Sequence, residues 1–485
     1  MFPTQDSPAI LVARFLRTNA YPETLAAFLR EADLPPDAGS SFPGALSVEQ
    51  ILTEKKAYDL SARFEKLGCD DDEEKKWTLP APSVPTTIDL PTSANLLHSS
   101  VEYLHVDGAS GQPQPLILAS TADRRLNILF ADTNNLVRSH TQLQDSPILS
   151  YTVIRQRFLI CSSMSGKVVV YDSQKDEIVA HRKDHAKYVV HVASWESEDH
   201  IWLATAGWDQ KVLVYECRIT ENSMILEKPV GIVQLPSNPE ALLFTREPDS
   251  KSLYLLITRR DSTFIYYHQI VENRLLTSDS KPVAIPLSGT QNLAPLSNAW
   301  VAFSPAAISA NPSDPSVVAI ATSTVPHMKL LIVRLLYPAN ESLSLFQGGE
   351  SVLPQTLVHS PGAASTTTAA AAQQARTALA VQDREVGAIL IQCNTLSPQS
   401  AYSTPALTWR PDGSGIWVNS DDGIVRGIET STGKIVTKLQ GHQPGSKIRC
   451  LSTASVRLGS DETRTEEWLI SGGFDQKLVV WKTDS

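Results

Sequence analysis

Few residues in this chain have both the types and the spacing that chemistry demands. Ser165-Gly166-Lys167 ends like a phosphate-cradling loop, but the upstream glycines that give such a loop its tight backbone are missing. There is no G-x-S-x-G nucleophile turn, no H-E-x-x-H zinc helix and no pair of closely spaced zinc ligands. The five cysteines, Cys69, Cys161, Cys217, Cys393 and Cys450, are scattered with no C-x-x-C, which argues against a disulfide framework and a zinc knuckle. Eleven histidines leave room for a site assembled only by folding. On these residues the expectation is a protein with no enzyme activity, no cofactor and no metal.

What does recur is a ten-residue segment. Gly207-Trp208-Asp209-Gln210-Lys211-Val212-Leu213-Val214-Tyr215-Glu216 returns as Gly473-Phe474-Asp475-Gln476-Lys477-Leu478-Val479-Val480-Trp481-Lys482. Each copy reads as a tight turn followed by an alternating strand, and two copies far apart signal a repeat architecture. Repeated short strands point to binding surface rather than reaction chemistry.

The elements that must carry these turns are bounded by size and charge. The 485 residues exceed one small core. Net charge is −10, split as −6 on the first 92 residues and −4 on the rest, so neither part is basic overall and nucleic acid is not the expected partner. A local patch could still form from Lys187, Lys211, Arg259, Arg260 and Lys477, as a lipid or RNA binder would need. No apolar run approaches the ~18 residues of a membrane span. Together with the reduced-looking cysteines this gives a cytoplasmic or nuclear expectation and no membrane.

The first 67 residues read as helices. Ser7-Pro8 resembles an N-cap with proline at the first helical position, and Leu11, Val12, Phe15 and Leu16 form one stripe. Tyr21-Pro22 restarts a helix with Leu25, Phe28 and Leu29 on its apolar face, and Pro35-Pro36 ends it. A third helix or short coil is expected over 47–67, then an acidic and proline-rich linker over 68–83. Two short helices bury too little to offset roughly 1–2 kcal/mol of backbone entropy per residue, so they need a partner surface. Over 7–34 the residues Val12, Phe15, Leu16, Tyr21, Thr24, Phe28 and Glu31 resemble the LisH motif, with Ala20 where that family usually has glycine. The resemblance implies a homodimer built on Val12, Phe15, Leu16, Tyr21, Leu25 and Phe28.

From about residue 84 the chain breaks into short strands that group into seven sets of four. The exceptions are telling. The fourth strand of the third set is placed at Ile225–Gln234, that of the fourth set at Leu275–Ile285, and the first strand of the fifth at Ala299–Ser304. The last set lacks a fourth strand, and Val84–Leu90 has no other home. Placed on that outer edge it would close a ring and remove an open sheet edge. This pattern over 84–485 resembles the WD-repeat β-propeller, with seven blades, or eight if an insertion over 337–385 hides one. The fold class is thus mainly β, a seven-bladed propeller with a small α-helical LisH-type hairpin. The insertion, centred on Ser365–Gln374, reads as disordered.

In the WD family a histidine, a serine or threonine, an aspartate and a tryptophan form a buried structural network. The resemblance assigns these roles to His185, Thr205, Asp209 and Tyr215 in blade 3, and to His442, Ser471, Asp475 and Trp481 in blade 7. Trp409-Arg410-Pro411 and Phe303-Ser304-Pro305 look like the family's aromatic-x-Pro turn after a first strand. The residue before each turn aspartate would point from one rim. That makes Trp208, Arg260, Asp421 and Phe474, with Met164 in the equivalent slot of blade 2, candidate contacts for partner proteins. The function expected is a non-catalytic scaffold that dimerises and binds proteins. Lissencephaly-type dynein regulators, transducin-beta-like corepressors and ubiquitin-ligase scaffolds are the look-alike roles, and lipid or RNA binding or a propeller enzyme ranks below them.

Overall fold

The computed structural model describes residues 8–40, 47–49, 52, 77–105, 112–198, 200–220, 223–275, 281–296, 303–338, 379–457 and 465–483. The chain divides into two compact units, the smaller holding the N-terminal helices and the larger holding the strands. Most of the expected third helix over 47–67 and the centre of the expected insertion lie outside the described residues.

In the smaller unit, α1 (Pro8–Thr18) and α2 (Pro22–Glu31) are joined by a turn in which Tyr21 N–H donates to the Leu16 carbonyl at 3.0 Å. Ala20 takes φ +56°, the left-handed conformation that glycine adopts without penalty. Beyond α2 the chain folds back on α1, where Arg17 donates to the Pro36 and Ala38 carbonyls at 2.8 and 3.1 Å. Ala13 and Arg14 are buried by this return, whereas α2 has no buried residue.

The larger unit is a seven-bladed propeller of antiparallel sheets. Blade 1 is Leu96–Leu104, Gln114–Thr121, Leu126–Phe130 and Leu136–His140, in inner-to-outer order a to d. Blade 2 is Ile148–Ile154, Phe158–Ser163, Val168–Asp172 and Glu177–Arg182. Blade 3 is Val189–Glu196, Ile201–Gly207, Lys211–Ile219 and Gly231–Gln234. Blade 4 is Pro239–Arg246, Leu253–Arg259, Phe264–Ile270 and Gly289–Asn292. Blade 5 is Pro305–Ala310, Val317–Thr322, His327–Arg334 and Ile389–Pro398. Blade 6 is Leu407–Trp409, Gly415–Val418, Ile424–Glu429 and Ile435–Gln440. Blade 7 is Ile448–Arg457, Thr465–Gly473 and Leu478–Lys482, completed by Val84–Ile88 from the start of the unit. That closing strand pairs in register from Val84 opposite Lys482 to Ile88 opposite Leu478. Only Ile88 of its five residues is buried, as suits an outer edge that can also hold Pro85.

Middle strands b and c are apolar on both faces because neighbouring blades cover them. Trp202, Ala204, Val212 and Val214 of blade 3 pack on Leu242, Phe244, Leu255 and Ile257 of blade 4. The same logic joins the ends of the ring, where Ile88, Trp468, Ile470 and Val480 of blade 7 meet Leu96, Ile117 and Ala119 of blade 1. Each fully buried aliphatic side chain contributes roughly 1.5–3 kcal/mol.

Three strand expectations need correcting. The outer strand of blade 4 is Gly289–Asn292 rather than Leu275–Ile285. Leu275 ends a short helix, Glu272–Leu275, and Val283–Ala284 runs parallel to Gly231–Gln234 of blade 3. Leu275 and Ile285 are apolar because they plug the seam between blades 3 and 4, and Gly231 leaves room for Ile285. The inner strand of blade 5 is Pro305–Ala310 rather than Ala299–Ser304, so Phe303-Ser304-Pro305 leads into a strand instead of ending one. Proline, lacking an N–H, is tolerated at a first strand position. In blade 3 the expected outer strand Ile225–Gln234 is split around Pro229 into Met224–Leu226 and Gly231–Gln234, both paired with strand c.

The stretch expected as linker over 68–83 is described from Trp77, and there it is packed. The Trp77 ring fills a slot over Gly415 and Gly427, where a Cβ on either glycine would sit 2.3 Å from it. It contacts Trp417 at 5.2 Å between centroids, and the Arg410 guanidinium lies 4.8 Å from its ring. Arg410, itself buried, donates to the Leu79 and Pro80 carbonyls and to Glu467.

Candidate functional site

The loops between strands d and a and between b and c share one rim, and the two ten-residue copies meet it. In blade 7, His442 Nδ1 lies 3.0 Å from Asp475 Oδ1 and its Nε2 lies 2.8 Å from Ser471 Oγ, to which Trp481 Nε1 donates at 2.9 Å. In blade 3, His185 bridges Asp209 at 2.9 Å and Thr205 at 2.8 Å, while Tyr215 OH turns away to Asp184 at 3.2 Å. The glycine that opens each copy is sterically required. A Cβ on Gly207 or Gly473 would lie 2.4 or 2.5 Å from the aspartate Oδ1. Burial works against ionisation of both aspartates. The histidine hydrogen bond and the Ala186 or Gln443 N–H outweigh it and hold both carboxyls below their ordinary range. The polar atoms of both networks are answered, and the Thr205 and Ser471 hydroxyl residues are fully buried.

Other blades answer their polar groups differently. In blade 2 the fully buried Asp172 takes a two-point contact from Arg157 at 2.9 and 2.6 Å. In blade 4 Asp261 is exposed and Tyr267 OH donates to Gln291 at 2.6 Å.

The five rim candidates separate into two groups. Trp208 packs at a tilt against Tyr188, 5.4 Å between ring centroids, and Arg260 lies over the Trp208 ring at 5.7 Å while donating to Glu240 at 2.7 Å. Both Trp208 and Arg260 line the mouth of the central channel. Met164, Asp421 and Phe474 do not. Met164 is half-buried, Asp421 accepts from Ser403 Oγ at 2.5 Å and pairs with Lys447 at 3.0 Å, and Phe474 is 43% exposed.

The channel mouth is a cavity of about 540 Å³. Its walls come from the first residues of the inner strands. In six of the seven blades strand a opens with a β-bulge, leaving Leu97, Leu149, Val190, Glu240, Ala306 and Arg449 outside the ladder. All six line the cavity, as do His98 and His191 immediately after their bulges. His98 meets Tyr151 edge-on at 4.5 Å, and His191 Nδ1 is buried without a hydrogen-bond partner among the described residues. Burial first, then the His191 and Arg449 charges, push His98 down to about 4, and burial alone takes His191 to about 4.

A family model described as UCP007778, beta-propeller domain, matches residues 89–482. The chain belongs to this family. The companion UCP007778 LisH domain model matches residues 9–36, so this UCP007778 member is a LisH-containing β-propeller protein. Among solved structures, the crystal structure of Saccharomyces cerevisiae Sqt1 is similar, with TM-score 0.51 and 13% identity over 84% of this chain and 100% of that one. At that identity the likeness is one of fold. No curated protein sequence matches.

In this UCP007778 member the six hairpin residues singled out from the sequence are none of them buried. Val12 and Tyr21 are exposed, and Phe15, Leu16, Leu25 and Phe28 are half-buried. Sequence reading missed His98, His191 and Arg449. Their signal was a polar residue near the start of an inner strand, but nothing local marks a bulge that turns it into the channel. Among the described residues no group of three His, Cys, Asp or Glu is arranged to hold a metal ion, and no helix is long and apolar enough to cross a membrane.

Proposed function

We propose that this protein is a non-catalytic scaffold of the WD type, paired through its α1–α2 hairpin and holding partner proteins on the rim that carries Trp208, Arg260 and Phe474. The observation that carries the pairing is the unburied apolar face of the hairpin. Six apolar or aromatic side chains at helical spacing stay exposed or half-exposed, on a unit whose second helix buries nothing. A second copy of the same hairpin supplies a matching face by symmetry. The rim reading is supported by aromatic and arginine side chains at turn positions whose backbone is already tied down, Trp208 N–H to Tyr188 and Phe474 N–H to Lys447, each at 2.8 Å.

Light scattering on the size-separated full chain tests the pairing. The expected mass is twice that of one chain, falling to one for Phe15→Asp. A wild-type monomer at high micromolar concentration refutes it. Affinity purification of wild type beside the Trp208→Ala/Phe474→Ala variant tests the rim. Partners should be lost from a variant that remains folded, and an unchanged set of partners removes these residues from the interface.

A further inference from the structure

We propose that the channel mouth is an oxyanion site, in which the Arg449 guanidinium, flanked by the His98 and His191 imidazoles, takes a phosphate or carboxylate group of a small organic ligand. Two charged residues stand among the six bulged positions that ring the cavity. Glu240, on blade 4, is answered by Arg260 at 2.7 Å. Arg449, on blade 7 across the ring, has no hydrogen-bond or ion-pair partner among the described residues, and burial lowers its affinity for its proton. A half-buried cation on a cavity wall without a counter-ion costs stability, and a guanidinium presents a planar fork that matches two oxygens of a carboxylate or phosphate.

The two histidines fit the same ligand. They occupy the same place in their strands, the residue after the bulge, opposite Ser120 in blade 1 and Ala206 in blade 3. With protonation suppressed by burial, each is neutral at pH 7 and has one N–H to donate. The remaining titratable groups on the wall are Glu240 and Asp261 beside Arg260, and the buried Cys450 thiol, which burial pushes up to about 11. The acids therefore cluster with their own arginine on blade 4, away from Arg449. At about 540 Å³ the cavity far exceeds one phosphate ion and falls within the range that holds small organic ligands. Trp208 supplies an aromatic wall.

Thermal unfolding of the full chain in phosphate, in succinate and in chloride at matched ionic strength tests it. For wild type the midpoint should climb with phosphate or succinate up to about 50 mM, since a ligand that binds only the folded state stabilises it by mass action. A rise with phosphate alone makes the ligand a phosphate compound, and a rise with succinate alone makes it a carboxylate. Arg449→Met should abolish the rise while melting no lower than wild type in chloride. His191→Gln, a second variant that keeps a hydrogen-bonding group, should weaken the response roughly tenfold, the worth of one good hydrogen bond to a charged group. No rise with either anion overturns the proposal, including the case of an acidic segment of a partner protein as the true occupant. So does a rise that Arg449→Met retains, or an Arg449→Met variant that fails to fold while His191→Gln responds like wild type.

Discussion

His442, buried, and His98, half-buried on the cavity wall, lie in neighbouring blades, and the groups around them differ. His442 finds Asp475 on one side and Ser471 on the other, with Trp481 closing the set. Around His98 the described residues supply an aromatic edge, a second histidine and an arginine, and none of them accepts a hydrogen bond from its ring. Enclosed polar groups stabilise a fold only where the chain provides every partner. Where it withholds them, the folded state carries a cost that a bound molecule can remove. The blade 7 network is therefore part of what holds the ring, and the channel mouth is part of what the ring is for.

The strongest way to break this comparison is to open the blade that holds the complete network. Removing Val84–Ile88 strips the edge of Leu478–Lys482 and takes Ile88 from the seam with blade 1. The expected result is a loss of several kcal/mol, large enough to unfold the propeller near 37 °C. Thermal unfolding of the truncated chain checks it, and an unchanged midpoint denies that the ring closes there.

Acid sharpens the contrast. His98, His191 and His268 all resist protonation, each held at about 4 mainly by burial. A depressed histidine contributes stability that is whole above its unfolded value near 6.5 and is lost as pH falls toward about 4. Asp209 and Asp475, held below the ordinary carboxylate range, keep their contribution until the pH drops through about 4 and under. Urea midpoints from pH 8 to pH 3 should thus fall in two stages, histidines first. His98→Gln should flatten the first stage alone.

Much of the propeller was legible because strand alternation and turn chemistry are local. The two ten-residue copies, the middle strands of every blade and the orphan strand at Val84 all follow from short-range pattern. What escaped depends on distant neighbours. Leu275 and Ile285 look like strand residues but are apolar because another blade covers them. Trp77 looks like linker, yet Gly415 and Gly427, more than 300 residues away, make its slot. The rim residues could be picked out one by one from the aspartate turns, but which of them share a wall could not. The channel histidines were hidden because a bulge is set by register with strand b.

A smaller effect is expected in the hairpin. Ala20 holds φ +56°, so Ala20→Gly should stabilise the LisH unit by up to about 1 kcal/mol, read from helix melting of the full chain. Smaller still is the cost of Trp208→Ala/Phe474→Ala. Both residues sit on the rim, so the urea midpoint should barely move, and a drop of several kcal/mol would make them core.

The most direct measurement sets the two regions against each other, as paired urea midpoints of His442→Ala and Arg449→Met at pH 7.5 in chloride. Removing one member of a fully buried pair should cost about 3 kcal/mol or more, whereas removing the unanswered guanidinium should leave the midpoint unchanged or raise it. If Arg449→Met falls as far as His442→Ala, the channel mouth is held together as the network is, and the division between structural and binding polar groups fails.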